Sequence, residues 1–455
     1  MTHRVFLLTV IGLLLLNFSC PLLAQESTGS GVTWNGYLQT DNRLQLKSDN
    51  DFSLQEYRLD LKTEANPTEK AHFYSEVWLR SLGFPTVQNS ADLVDKNKIS
   101  PLSLDFREAY VDLYGFLFNN LDIRIGRQRI AWGTADKLNP TDNLNPDDLE
   151  DIWDFGRHLG SNALKASYYL GNCAFEVVYI PMFTPAVLPQ GDWASVLSSS
   201  MELPAGLTLR NLTDTIIMPK NNFEENSIIG GKISNNFFGY DFSLSYVYGR
   251  DDLPLTRKVT FTPTSTPGEV DITSELIYPR MHIAGIDMAG DIAGVGVWAE
   301  AAVFFPEEVK MVTDLSALGM GIQESIALDD KPYVKYVLGA DYTFKNGIYI
   351  NGQYLHGFVH ERGKDNLEDY FMFGLEKKFF NDKLKIIPIV GGIEIKDFKD
   401  IENNYAFILS PEIAYFPVDN AELTLGIRLI DGKDTTIFGR LKDKDELYFK
   451  VKYSF

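Results

Sequence analysis

Cysteine is almost missing from this sequence: 455 residues contain two, Cys20 and Cys173. That leaves no disulfide framework and no cysteine-based metal site. Basic residues are outnumbered, 42 Lys and Arg against 62 Asp and Glu, for a formal net charge of −20. So acidic a chain argues against nucleic acid or an anionic membrane surface as a partner. No apolar run after Ala24 approaches the roughly 18 residues that a membrane-spanning helix needs. Histidine is scarce as well, and His72, His158, His282, His356 and His360 sit in no recognisable nucleophile or acid–base motif. No catalytic residue, metal site or cofactor is therefore assigned, and the chain is not read as an enzyme. If it spans a membrane, it must do so as a closed barrel, because open strands would leave backbone groups unsatisfied in lipid.

What the sequence has in abundance is alternation. In the last ten residues Leu447, Phe449, Val451, Tyr453 and Phe455 interleave with Glu446, Tyr448, Lys450, Lys452 and Ser454. A strand has a side-chain period of two, so one face is polar and the other apolar and aromatic. A strand that closes a transmembrane barrel has this character, with lipid outside and a wet lumen inside. Leu54 to Glu64 repeats the pattern: Glu56, Arg58, Asp60, Lys62 and Glu64 face away from Tyr57, Leu59 and Leu61. Charges at every second position belong beside water.

About eighteen such segments (16–18) follow one another from Val32, as an even-numbered barrel requires. Short connections rich in turn formers, among them Asn66-Pro67, Gly171-Asn172, Asn346-Gly347 and Asp419-Asn420, alternate with longer ones such as Ser81 to Leu104, Ala131 to Asn162 and Pro181 to Ser227. The fold predicted is all-β, a transmembrane antiparallel up-and-down β-barrel with short periplasmic turns and long external loops. At the other end, Met1 to Arg4 is positively charged, Val5 to Leu16 is apolar, and Ala24 offers a cleavage point before Gln25. This layout predicts a signal peptide over 1–24 and a barrel over 25–455. The expected location is the outer membrane of a Gram-negative cell. The partners expected there are the lipid bilayer, lipopolysaccharide and, through the C-terminal strand, the barrel-assembly machinery.

Three segments, Arg107–Leu113, Ile125–Gly133 with its continuation to Asn145-Pro146, and Leu338–Phe344 through Tyr354–Gly357, resemble a family of porin-like outer-membrane proteins of poorly defined function, related in pattern to alginate-export porins. The resemblance implies a barrel channel and carries no ligand across.

By parity, Arg43, Glu56, Arg58, Asp60, Lys62, Glu76, Arg80, Arg124 and Arg428 are candidates to line a pore. The third external connection, Ala131 to Asn162, carries Asp136, Asp142, Asp147, Asp148, Glu150, Asp151 and Asp154. Folded into a lumen, these acids would face basic wall residues and set up a transverse field. A calcium site is the competing use of such an oxygen cluster, although the glycine of an EF-hand loop is lacking. Arg127 and Arg129 share the parity of Ile123 and Ile125. They either enter a constriction or lie beyond the bilayer or a bulge. The expected function is passage of small hydrophilic solutes through a pore narrowed by the acidic loop. The alternatives are a transporter of hydrophobic compounds, which Pro388 and Pro411 inside strands would suit, and a surface-loop adhesin.

Overall fold

The computed structural model describes residues 31–47, 51–189, 193 and 203–455. The expected signal peptide and Cys20 lie outside the described residues.

Twenty-four strands follow one another among the described residues. The first seven are β1 (Val32–Gln45), β2 (Phe52–Thr68), β3 (Ala71–Leu82), β4 (Ser103–Leu113), β5 (Leu121–Gln128), β6 (Ser161–Leu170) and β7 (Cys173–Ile180). The wall continues through β9 (Ile228–Phe237), β10 (Tyr240–Arg250), β13 (Arg280–Ile292), β14 (Val295–Pro306), β17 (Tyr333–Thr343), β18 (Ile348–His356), β19 (Asp369–Phe379) and β20 (Leu384–Ile395). It ends with β21 (Tyr405–Leu409), β22 (Glu412–Tyr415), β23 (Ala421–Gly432) and β24 (Glu446–Ser454). Each pairs antiparallel with its neighbours, and β24 pairs with β1 from Tyr37↔Ser454 to Gln45↔Glu446, which closes the ring. Of the nineteen hydrogen-bonded segments, β21 and β22 are two halves of one strand, both lying between β20 and β23. The barrel therefore has eighteen staves.

Closure is tight at the seam. Gly36 and Phe455 exchange backbone hydrogen bonds of 3.0 Å each. A Cβ on Gly36 would fall 2.0 Å from the Asp60 carbonyl oxygen, so only glycine lets the strands approach this closely. Alternation decides which side is wet. Asp41, Arg43, Glu56, Arg58 and Asp60 are buried in the interior, whereas Leu38, Tyr57, Phe106, Ile125 and Leu425 are exposed on the outside. In water those outer side chains would cost free energy. In hydrocarbon they cost none, and the continuous strand ladder keeps the backbone paired around the ring.

Both ends of the described wall, Val32 and Phe455, lie at the rim with the short turns. From the opposite rim rises a second sheet that the sequence reading treated as plain loop. It comprises β8 (Thr208–Ile216), β11 (Leu255–Pro263), β12 (Glu269–Ile277), β15 (Val309–Leu315) and β16 (Gly321–Leu328), in the order β16-β15-β11-β12-β8. Three long connections supply these strands. Val259, Phe261, Val270, Ile272 and Leu315 pack together on one face of it, which gives the connections a core of their own.

One expected strand, Tyr405 to Phe416, is split at Ser410-Pro411. Opposite the split, β20 bulges: Leu375 pairs Ile389 but Lys377 pairs Ile386. Pro388 sits in that bulge and, like Pro411, has no N–H to offer the ladder.

The inside–outside assignment is testable at adjacent positions. Leu38→Arg, on the lipid face near mid-strand, should destabilise the barrel by about 2–4 kcal/mol, whereas Gln39→Arg, facing the lumen, should change stability little. Denaturant unfolding in lipid vesicles followed by tryptophan fluorescence would measure both. Equal losses would contradict the assignment.

Candidate functional site

Between β5 and β6 the chain leaves the wall, crosses the lumen and returns. Asn145 fixes the root of this strap: its side-chain oxygen accepts from Ile130 N at 2.6 Å, and its Nδ2 donates to the Gln128 carbonyl and the Ser161 hydroxyl, both at 3.0 Å. The carboxylate of Glu300, on β14, takes the far end. It accepts from Thr134 N (3.0 Å), Ala135 N (3.2 Å), Asn139 Nδ2 (3.2 Å), and Thr141 N (2.7 Å) and Oγ1 (2.8 Å). Beside it Gln353, on β18, accepts from Asp136 N at 3.1 Å and donates to the Asp136 carbonyl at 3.2 Å. A turn back toward the root passes Gly156, whose φ of 76° and closeness to the Lys137 carbonyl leave no room for a side chain.

On its return the strap meets a wall of arginines. Arg43 donates to Asp151 at 2.9 Å and to Asp41 at 2.8 Å. Arg80 donates to Glu150 at 3.0 Å and Asp105 at 2.7 Å. Arg107 reaches Asp148 at 2.8 Å and the His158 carbonyl at 2.7 Å, while the strap's own Arg157 holds the other Asp148 oxygen at 3.0 Å. Arg129 pairs with Asp142. Trp78 lies among these cations, with the Arg58 and Arg107 guanidinium carbons 3.9 and 4.2 Å from its ring centre.

On the opposite half of the upper lumen the strap packs against apolar side chains. Ile130, Trp132 and Leu144 of the strap pack against Val178, Ile180, Val247, Met281 and Phe304. Leu138 and Ile152 pack with Leu355, Phe358, Tyr370, Ile408, Ile430 and Phe438. The strap is thus tethered by charge on one side and by apolar packing on the other.

All nine wall candidates face the interior. Lys62 lies nearer the short-turn rim, 3.7 Å from Glu76 and 4.0 Å from Asp60, and Arg124 there donates to Asp112 at 2.6 Å. Arg428 pairs with Glu446 and stacks 4.0 Å above Trp153. The loop candidates divide. Asp142, Asp148 and Asp151 meet arginines; Asp136 lies exposed at the far wall; and Asp147 turns toward His158, at 3.3 Å, and Asp252. Arg127 is not brought into the array, a correction to its expected place in a constriction. It holds the outward parity opposite Ala109, and its buried Nε has no hydrogen-bond partner among the described residues. Arg129 lies one residue beyond the strand end, free of that parity, and turns inward.

Among the described residues no three His, Cys, Asp or Glu side chains are grouped to hold a metal ion. The acids offered as a calcium cluster are spread over separate partners. Sequence reasoning missed Asp41, Trp78, Arg107, Asn145, Arg157, Glu300 and Gln353. Glu300 had a visible signal, as the only ionisable residue in Val295–Pro306.

The strap separates three spaces. A cavity of 130 Å³ lies on the long-loop side, among Leu144, Met281, Phe304, Tyr333 and Phe358. A chamber of 640 Å³ lies toward the short turns, bounded by Tyr37, Asp136, Tyr349, Met372, Glu376 and Lys450. A side cavity of 330 Å³ lies against Arg58, Trp78, Arg107 and Arg129. Asp154 and Phe155, at the strap's tip, line all three.

This is a closed eighteen-strand antiparallel barrel with an apolar outer face. No family model and no curated protein matches the chain, so the similarity to alginate-export porins stays an expectation. Solved structures do match. They include a Salmonella typhi OmpF complex with daunomycin, at 9% identity over 94% of this chain and 98% of that one, TM-score 0.41. Pseudomonas aeruginosa OccK11 (OpdR) matches at 8% identity over 93% and 95%, TM-score 0.49. OmpT, an outer membrane protein of Vibrio cholerae folded in vitro, matches at 10% identity over 95% and 99%, TM-score 0.43. The likeness is distant at these scores, and the barrel assignment rests on the strand register above.

Electrostatics at the strap are split. Arg43 beside Asp151 holds that carboxyl well below the usual range against its burial. Burial lifts Asp147 and Asp252, with the charge of Asp252 adding for Asp147 and that of Asp251 adding for Asp252, which is pushed up to about 6. Burial also lowers His158, which favours its neutral form. A carboxyl raised in the docked state binds its proton more tightly there, so Asp147 and Asp252 strengthen docking as pH falls, Asp252 losing its share as pH rises through about 6, while the single His158, lowered in the docked state, acts in the opposite sense. Hydrogen exchange of the strap amides, corrected for intrinsic rates, should therefore slow below that pH. Asp147→Asn together with Asp252→Asn should remove the carboxyl contribution; an unchanged pH dependence would contradict the assignment.

Proposed function

We propose that this protein is an outer-membrane channel of porin type, in which small solutes pass the strap beside Asp154 and Phe155. The observation that carries this reading is the strap itself, tied to opposite walls of the lumen with open chambers of 640 and 330 Å³ meeting at its tip. A covalently continuous loop held at both walls narrows a barrel without closing it. Barrels of 16 to 18 strands are wide enough to leave an aqueous path. Paired acids and bases along a wet lumen keep their charge at low cost and sort solutes by size and charge. Lipid, lipopolysaccharide and the assembly machinery belong to the same reading as partners of the barrel's exterior and closing strand.

The sign of selectivity follows from the larger chamber, where eight carboxylates face four Lys and Arg side chains. Asp41 pairs with Lys450 and Glu56 with Arg58, whereas Asp136 and Asp154 are exposed beside the path. Weak preference for cations is the consequence.

Single-channel recording of residues 25–455 in planar bilayers under a salt gradient tests both statements. A steady conductance with a cation-selective reversal potential is expected. Asp136→Lys with Asp154→Lys should move that potential toward anion selectivity, and deleting Thr141 to Glu150 should raise the conductance. A folded barrel that conducts nothing, or one whose conductance ignores the deletion, would overturn the reading.

A further inference from the structure

Besides its axial path, the large chamber touches a weak place in the wall. From β20 to the next stave, register pairs run over Leu384–Ile387 with Glu412–Tyr415 and over Gly391–Ile395 with Tyr405–Leu409. Between them Pro388, Ile389 and Val390 face Ser410 and Pro411, joined by one backbone hydrogen bond, Ser410 N to the Val390 carbonyl at 2.7 Å. On its other edge β20 bulges at the same level. Two prolines without N–H groups and one bulge thus coincide near the middle of adjacent strands, at the depth of the hydrocarbon. Proline is normally kept out of central strands because each removes a ladder bond.

The inner side of this place is unusually bare. Gly374, which pairs with Val390, has nothing within 4 Å of where a Cβ would stand except Asn351 Cβ at 4.0 Å, and Gly392 and Ser410 lie nearby. Both Gly374 and Ser410 line the chamber. Outside, Ile389, Ile393, Phe407 and Ile413 form an exposed apolar rim. The chamber joins apolar surface from Met372, Ile387, Val390 and Ile408 to the carboxylates of Glu376 and Glu412.

We infer that the gap between β20 and the divided strand β21/β22 is a lateral port, through which the chamber exchanges uncharged or cationic amphiphiles with the surrounding bilayer. Apolar chains would cross where the wall lacks side chains and ladder bonds, and an amine would face Glu376 and Glu412. The inference rests on the channel reading for the barrel's place in a membrane but adds a second route and a solute class.

A reversible staple tests it. In a Cys173→Ser background, Val390→Cys with Ser410→Cys places a disulfide across the gap, and reductant reopens it. The probe is a long-chain alkylammonium carrying a photoreactive diazirine, dissolved in the membrane of proteoliposomes. Photolabelling of chamber peptides containing Met372 and Glu376 is expected in the unstapled barrel, to be lost on oxidation and restored on reduction, with ionic conductance unchanged throughout. Gly374→Phe, which fills the inner mouth, should reproduce the loss where the disulfide fails to form. Labelling that ignores both variants, or labelling and conductance that fall together, would overturn the lateral port. Absence of conductance in the unmodified barrel would instead overturn the channel reading, so the two failures are distinguishable.

Discussion

The structure depends on arginine–carboxylate pairing across the lumen. Arg43, Arg80 and Arg107 project from β1, β3 and β4; Asp41 and Asp105 of the wall take part of the first two, and the strap's Asp151, Glu150 and Asp148 supply the remaining partners. Removing one partner of a buried pair costs about 3–5 kcal/mol, because the other charge is left desolvated. The pairs therefore fix where the strap lies more than they add to the stability of the barrel, which its strand ladders already hold together. Trp78, stacked between Arg58 and Arg107, holds the guanidinium planes from behind and limits the directions in which they can donate.

An apolar counterweight completes the arrangement. Charge alone would pull the strap flat against β1–β5, but Leu144 and Leu138 are buried on the opposite half and Glu300 gathers five donors there. The strap is therefore stretched between unlike walls, and the spaces on either side of its tip follow from that tension.

The wall was legible in the sequence because lipid and lumen impose a strict period of two. Ile348–His356 and Leu384–Ile395 begin and end where alternation placed them. The split at Pro411 follows from the missing N–H, whereas Arg127, read as either in a constriction or beyond a bulge, keeps the parity of Ile123 and Ile125. The second sheet was overlooked because its strands sit in connections read by length. Yet Val259 and Phe261, like Val270 and Ile272, alternate as wall strands do. The charged half of the site was visible as residues but not as pairs, since nothing local relates Asp151 to Arg43 across 108 positions. Glu300 and Asn145 act by gathering backbone donors, a role that depends on how the strap turns and leaves no periodic trace.

The central claim is that the strap stands fixed across the lumen. It is tested most directly by the distance between spin labels at its tip, Asp154→Cys, and at a short turn, Asn346→Cys, in a Cys173→Ser background reconstituted in lipid. A single narrow distribution is predicted, unchanged by added salt because the pairs are buried. A broad distribution, or a longer one that shows the strap swung out of the lumen, would contradict the account.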